Sequence, residues 1–231
     1  MTLGRENRPT IRERLAQAQE QSKTKHRERE KVKTKDREVL REFIGPRKTL
    51  LSWKLDGLTI VLTYENGRLL KAVTRGNGTV GEVITNNARV FKNIPLQIPY
   101  QGRLVLRGEA IITYSDFQRI NESIEDVDAR YKNPRNLCSG SVRQLNNQVT
   151  ASRNVRFYAF SLVSAPEVDF DNSHENQFQW LKGQGFDVVE YRVVTASTLD
   201  QAMDYFSTAI TKNDFPSDGL VALYDDIAYG E

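Results

Sequence analysis

Residues 50–64 constrain the fold most, because the stretch is apolar and rich in β-branched side chains. Such a run is too short and too β-branched for a helix, and it predicts sheet structure. Within it lies Lys54-Leu55-Asp56-Gly57, a lysine at the mouth of a strand followed by a tight-turn glycine. Burial there would disfavour the ammonium form and leave the amine neutral enough to act as a nucleophile. Taken alone, the same lysine is better explained as a strand-edge residue whose ammonium reaches water.

The composition narrows the class of protein. The chain has 231 residues, of which 39% are hydrophobic and 27% charged, enough for a real core beneath a polar surface. It has no apolar run long enough for a membrane span and no apolar N-terminal segment, so we expect a cytoplasmic protein without a membrane partner. The single cysteine, Cys138, excludes an intramolecular disulfide, and with only His26 and His174 beside it we expect no zinc in this chain.

The positive charge is concentrated near the N-terminus. Residues 1–48 hold 15 Lys and Arg against 8 Asp and Glu, whereas the remainder holds 18 against 22. Residues 10–42 favour a helix with little apolar stripe, which Gly45-Pro46 would end. We therefore predict a basic helical arm over residues 1–44 and a second domain over residues 45–231. A basic arm attracts nucleic acid, although a mixed-charge run is more often only a solvated helix.

Beyond residue 50 the pattern predicts an α+β fold, with antiparallel β-sheets and helices packed outside them. Asn66-Gly67 predicts a tight hairpin turn between residues 50–64 and 68–74. Further strands are expected at residues 103–112, 155–163, 187–194 and 216–224. Helices are expected at residues 82–90, 115–123 with its cap at Ser115-Asp116, 174–184 and 199–210.

Several polar motifs interrupt these elements. A loop with three glycines, Thr74-Arg75-Gly76-Asn77-Gly78-Thr79-Val80-Gly81, allows close backbone approach to a ligand, but no Gly-Lys-Ser/Thr follows, so it is not a Walker loop. Arg107-Gly108-Glu109 places charges inside an apolar strand, where they are costly unless paired or used. Two more motifs follow, Asn133-Pro134-Arg135-Asn136 with Gly140-Ser141 and Arg143-Gln144-Leu145, and Asp218-Gly219-Leu220-Val221.

Together and in this order, the five segments resemble the adenylation (nucleotidyltransferase) domain of bacterial NAD-dependent DNA ligases. The resemblance implies the ATP-grasp-like architecture of DNA ligases and mRNA capping enzymes. It also implies that Lys54 attacks the α-phosphate of NAD, releases nicotinamide mononucleotide and holds AMP as a phosphoramidate, with Mg²⁺ as cofactor. AMP would then pass to the 5′-phosphate of a nick in double-stranded DNA, in replication and repair.

The resemblance also implies roles for individual residues. Asp56 would orient Lys54 and the ribose side, Glu109 would accept a hydrogen bond from the ribose, and Asp218 would be associated with Mg²⁺. Arg75, Arg135 and Arg143 would stabilise charge or grip DNA phosphates, for which a guanidinium is suited. Adenine would lie between Phe160 and Val221, near Ser52.

Each role has a simpler alternative. Arg75 is compatible with a loop salt bridge, and Phe160 with a place in the core. Glu109 and Asp218 are compatible with strand-end carboxylates in water. Arg135 and Arg143 are compatible with ion pairs to the acidic run Glu125-Asp126-Asp128.

The chain departs from the family pattern at several points. Ser52 stands where these ligases usually have a glutamate that reads the adenine amino group, Leu223 where they offer a lysine, and Asn77 where they have an acidic residue. The resemblance begins near Lys33, and no segment matches the domain that recognises nicotinamide mononucleotide. It ends before the downstream lysine motif, so we expect an adenylation domain truncated at both ends.

Two classes of function follow. The first is an NAD-dependent ligase adenylation domain, monomeric and weak or partial on its own, whose partners are NAD, nicked DNA and the missing ligase domains. The second is an inactive fragment that folds and binds nucleotide or DNA. An ATP-dependent nucleotidyltransferase such as an RNA ligase shares Lys-x-Asp-Gly, but the Arg75-Gly76-Asn77-Gly78 and Asn133-Pro134-Arg135-Asn136 segments argue against it.

Overall fold

The computed structural model describes residues 36–75 and 81–230. Most of the predicted basic arm and the centre of the glycine-rich loop lie outside the described residues. The chain divides into two compact units, residues 1–43 and residues 44–231. Helix α1 (Arg37–Ile44) is the described part of the predicted N-terminal helix, and Gly45, with a φ of 52°, ends it as expected.

Antiparallel strands form the body of the second unit. The strands are β1 (Thr49–Leu55), β2 (Leu58–Glu65), β3 (Arg68–Thr74), β4 (Leu104–Ile111), β5 (Arg156–Ser164), β6 (Tyr191–Val194) and β7 (Ser217–Tyr224). Within the described residues they make a three-stranded sheet with the order β6-β1-β7 and a four-stranded sheet with the order β3-β2-β4-β5. This confirms the predicted fold class.

Short helices connect and cover the strands. They are α2 (Thr85–Ala88), α3 (Tyr114–Glu122), α4 (Pro134–Ser141), α5 (Asn147–Ser152), α6 (His174–Gly183), α7 (Leu199–Ala209) and α8 (Ile227–Gly230), with a 3₁₀ turn at Val127–Ala129. The helix predicted over residues 82–90 is reduced to the single turn α2. The cap predicted for α3 at Ser115-Asp116 is wrong: Thr113 is the cap, because its hydroxyl accepts from the Asp116 N–H at 3.2 Å.

Two of the predicted strands are divided between the sheets. The run 50–64 is broken at Asp56-Gly57, so that β1 belongs to the smaller sheet and β2 to the larger one. A side chain on Gly57 would overlap the Ala110 carbonyl of β4, which explains a glycine at this crossing. The run 187–194 divides similarly, since the Val189 N–H donates to Ala159 in the larger sheet at 2.9 Å before β6 joins β1.

The core fills one face of the larger sheet, where alternate residues of its strands meet α4. These buried residues include Ile60, Leu62, Tyr64, Leu104, Leu106, Ala110, Leu137, Cys138 and Phe157. The register that pairs Thr59 with Glu109 and Glu109 with Tyr158 assigns these three to the opposite face. Gly108 packs against the Phe157 ring, where a larger residue would collide with it. None of the helices among the described residues is long and apolar enough to cross a membrane.

Candidate active site

Lys54 and Asp218 form an ion pair at one end of the smaller sheet. Lys54 lies opposite Gly219 in the register of β1 and β7, which brings it beside the Asp218 carboxylate. The Lys54 Nζ lies 2.7 and 2.5 Å from the two carboxylate oxygens of Asp218. The side chains are 54% and 45% exposed, so the alternative of a strand-edge lysine that reaches water is correct and a buried lysine is wrong. The ion pair holds the amine in place, and the exposed Lys54 side chain stays open to a substrate.

Trp53 fixes the strand that carries Lys54. Successive side chains of a strand alternate between faces, and Trp53 is buried where Lys54 is exposed. Its ring packs edge-on against Phe206 and Phe215, with centroids 4.7 and 5.7 Å away. Its Nε1–H donates to the Glu190 carboxylate at 2.9 Å. This anchor was not among the predicted site residues, although a tryptophan directly before the lysine is a visible signal in the sequence.

Asp56 turns toward Arg135. The Arg135 Nη1 donates to the Asp56 Oδ1 at 3.1 Å. The carboxylate beside Lys54 is that of Asp218, whereas the resemblance implied that Asp56 orients Lys54. Arg135 owes its place to the start of α4, where the Asn133 side chain caps the helix and Pro134 occupies its first turn.

Glu109 is held at the crossing between the sheets. Its two carboxylate oxygens accept from the Gly57 N–H at 3.1 Å and from the Thr59 hydroxyl at 3.0 Å. Burial raises the pKa of the Glu109 carboxyl above its usual range, although the hydrogen bonds from Thr59 and Gly57 act in the opposite direction. Glu109 is therefore a positioned, half-buried carboxylate, and the alternative of a strand-end group in water is wrong.

Arg143 lies just beyond the end of α4. Its Nε donates to the Glu82 carboxylate, and its Nη1 donates to the carbonyl and hydroxyl oxygens of Ser139 at 3.0 and 2.5 Å. The alternative that Arg135 and Arg143 pair with the acidic run at residues 125–128 is wrong, because Asp56 and Glu82 are their ion-pair partners.

Residues expected around the adenine lie on both sheets. Phe160 is half-buried on β5. It lies at a break in the register with β4, because the neighbouring Ala159 and Ser161 pair with the adjacent residues Gly108 and Arg107. Val221 lies on β7 directly opposite Ser52 of β1 and is 41% exposed. The expected sandwich would thus take one wall from each sheet. It stays a prediction.

Arg75 and Leu223 lie near the ends of their strands. Arg75 follows β3 with an exposed side chain, and its backbone N–H donates to the Thr59 carbonyl at 3.0 Å. Its expected role stays a prediction. Leu223, which stands where the family offers a lysine, lies on β7 opposite Leu50 and is partly buried.

The expected Mg²⁺ site rests on Asp218. Within residues 36–75 and 81–230, no group of three or more His, Cys, Asp or Glu side chains could hold a metal ion. Mg²⁺ commonly binds through one or two carboxylates together with substrate phosphates and water. The residues of this site therefore fit Mg²⁺ only together with a phosphate-bearing substrate.

Comparison with known proteins shows which family the chain resembles. The chain matches the family model described as the NAD-dependent DNA ligase adenylation domain over residues 24–231, a match that begins before Lys33, where the resemblance was expected to start. It is 63% identical to a DNA ligase of Ruminiclostridium cellulolyticum over 196 residues, which cover 85% of this chain and 30% of that protein. It is 62% identical to a DNA ligase of Lachnoclostridium phytofermentans over 192 residues, which cover 83% of this chain and 29% of that protein.

A solved structure from a study of Lig E DNA ligases is 18% identical, with a TM-score of 0.46, and the match covers 80% of this chain and 58% of that one. The chain thus spans about 30% of the length of the curated relatives named above. Because the family model extends over most of the sequence, including every motif of the site, the chain belongs to the family of NAD-dependent DNA ligase adenylation domains.

Proposed function

We propose that this chain carries out the self-adenylation step of an NAD-dependent DNA ligase. The observation that carries the proposal is the exposed Lys54 amine, fixed against Asp218 and open to a substrate. The Lys54 Nζ would form a bond to the α-phosphorus of NAD while the phosphorus–oxygen bond to nicotinamide mononucleotide breaks. The product is AMP joined to Lys54 through a phosphoramidate.

Asp218 has two tasks toward the Lys54 amine. The attacking amine must be neutral, so the ammonium must lose a proton before the bond forms. The Asp218 carboxylate is in hydrogen-bonding contact with Nζ and is the nearest acceptor for that proton. It also fixes the direction of the amine, which phosphoryl transfer needs for in-line attack. Mg²⁺ held by Asp218 together with the phosphates would neutralise their charge when bound.

The remaining residues would bind the nucleotide. Glu109 is fixed by Gly57 and Thr59, and it would accept a hydrogen bond from a ribose hydroxyl. Adenine would lie between Phe160 and Val221, with Ser52 beside it. Asp56 would help to orient the ribose side of the nucleotide. It would also hold Arg135, with which it forms an ion pair.

The arginines would bind phosphates. Arg135 and Arg143 lie eight residues apart at the two ends of the α4 segment, about 12 Å along a helix. This spacing suits contacts to separate phosphates of a nicked DNA duplex, with Arg75 as a third donor. Transfer of AMP to the nick and sealing of the strand would require further ligase domains. We place the reaction in the cytoplasm, where NAD and DNA are both present, with the chain acting as a monomer.

Intact mass under denaturing conditions tests the proposal. The parent chain and Lys54→Ala are incubated with NAD and Mg²⁺, and in parallel with ATP. The expected result is an added AMP on the parent with NAD, and none on the variant. A folded parent chain without an adduct would refute self-adenylation and favour the inactive fragment. An adduct from ATP alone would favour an ATP-dependent nucleotidyltransferase.

A further inference from the structure

The guanidinium of Arg143 is held on two of its three nitrogens. Nε donates to Glu82, and Nη1 donates to the Ser139 carbonyl and hydroxyl. In the part of the chain that the structure describes, Nη2 has no hydrogen-bond partner. The Arg143 side chain is 38% exposed, so it is not sealed from solvent, and Nη2 is the nitrogen left for a ligand.

We propose that Glu82 and Ser139 are positioning residues that aim Arg143 Nη2 at a substrate phosphate. The inference rests on the proposed function, because it assigns the phosphate to the DNA or nucleotide bound there. An unrestrained arginine must lose rotamer freedom when it binds, whereas one already held by three acceptors loses less. Glu82 and Ser139 would thus strengthen phosphate binding without touching the phosphate.

Two hydrogen bonds hold the backbone of Glu82 in place. The Glu82 N–H donates to the Thr74 hydroxyl at 3.0 Å, and the Thr74 N–H donates to the Glu82 carbonyl at 2.9 Å. This pair ties Glu82 to the end of β3. On the other side, Ser139 belongs to α4, whose buried residues Leu137 and Cys138 pack in the core. Arg143 is therefore held between two fixed elements.

A carboxylate beside an arginine also has an opposite effect on binding. The negative charge of Glu82 repels a phosphate and offsets part of the charge of Arg143. Removing Glu82 therefore changes both the charge and the hydrogen bond. Two variants of similar size separate them, because Glu82→Gln and Glu82→Met both remove the charge while only glutamine keeps an acceptor for the Arg143 Nε.

The experiment measures binding of the full chain to a short nicked duplex with a 5′-phosphate at the nick, by fluorescence anisotropy at low salt. We expect Glu82→Gln to bind about fivefold more tightly than Glu82→Met. Equal affinities would overturn the proposal, and so would a parent chain that does not bind the duplex. The same pair of changes at Glu65, an exposed residue at the hairpin end of β2, is the control and should give a ratio near one.

A second measurement reads the positioning directly. In protein carrying isotope-labelled arginine, the Nε–H resonance of Arg143 is identified by its loss in Arg143→Lys. Slow exchange of this proton with water is expected in the parent and in Glu82→Gln, and fast exchange in Glu82→Met. Fast exchange in the parent would refute the arrangement even if all variants fold.

The two proposals fail independently. Neither duplex binding nor the Arg143 resonance requires an adduct on Lys54. If no AMP is added but the Gln and Met variants differ as expected, self-adenylation fails and the positioning role stands. If AMP is added and the two variants bind DNA equally, the positioning role fails alone.

Discussion

Replacing Gly57 by alanine tests the most constrained point of the site. An added Cβ would overlap the Ala110 carbonyl oxygen and lie 3.0 Å from the Ile111 side chain. The carbonyl belongs to the backbone of β4 and cannot rotate away, so the crossing between the sheets must shift. Overpacking of this kind destabilises by about 1–3 kcal/mol. Loss of the hydrogen bond from the Gly57 N–H to Glu109 adds about 1 kcal/mol.

We therefore expect Gly57→Ala to lower the free energy of unfolding by about 2–4 kcal/mol. For a unit of this size the melting temperature falls by about 2–4 °C per kcal/mol, so thermal unfolding by circular dichroism should show a loss of about 4–16 °C. Gly183→Ala is the control. Gly183 ends α6 with no neighbouring atom within 4 Å of an added Cβ, and alanine there should be neutral or stabilising. A Gly57→Ala protein that melts with the parent would refute the reasoning.

Three further predictions concern stability. Glu109→Gln should stabilise the fold above the ordinary glutamate pKa, because burial raises the pKa of Glu109 and the parent loses stability as the pH rises from the ordinary value to the raised one. Urea denaturation at several pH values should show this gain growing with pH and then levelling off. A pH-independent difference would contradict the prediction. Lys48→Met should destabilise by about 1 kcal/mol at neutral pH, since Lys48 pairs with Glu175 at 2.6 Å and Asp225 at 3.1 Å. The hydrogen bond with Glu175 raises the pKa of Lys48 despite partial burial, so the difference, measured by the same denaturation, should be present at neutral pH and shrink as the pH rises into the alkaline range. Tyr64→Phe should cost about 1–3 kcal/mol by thermal unfolding, because it leaves the Pro95 carbonyl without the hydroxyl that donates to it at 2.6 Å.

The parts of the fold that the sequence predicted are those determined locally. Asn66-Gly67 predicted the hairpin turn, and both residues have the positive φ values, 50° and 70°, that such a turn requires. The start of α4 is determined just as locally, since Asn133 caps the helix and Pro134 occupies its first turn. Each signal depends on only a few neighbouring residues, so it does not depend on how the rest of the chain folds.

The ion pairs of the site could not be predicted in this way. Lys54 and Asp218 are 164 residues apart in the sequence, and Arg135 and Asp56 are 79 apart. The motifs gave the residue types in order, but no local pattern states which carboxylate meets which cation. Whether Lys54 is buried or exposed could not be decided from the motif for a related reason. It depends on Trp53 taking the buried side of β1, and this follows from the packing of Phe206 and Phe215 far along the chain.

The exposure of these ion pairs is itself consistent with phosphate binding. Lys54, Arg135 and Arg143 each face a carboxylate, and their side chains are 54%, 61% and 38% exposed. Exposed pairs of this kind contribute about 0–1 kcal/mol each, whereas breaking a buried pair costs about 3–5 kcal/mol. The proposed substrate phosphate would therefore displace the carboxylates from Lys54 and Arg135 at little energetic cost, whereas Arg143 would keep Glu82 on its Nε and offer Nη2. A lysine neutralised by burial would have been reactive without a partner, but it would have offered a phosphate no positive charge on approach.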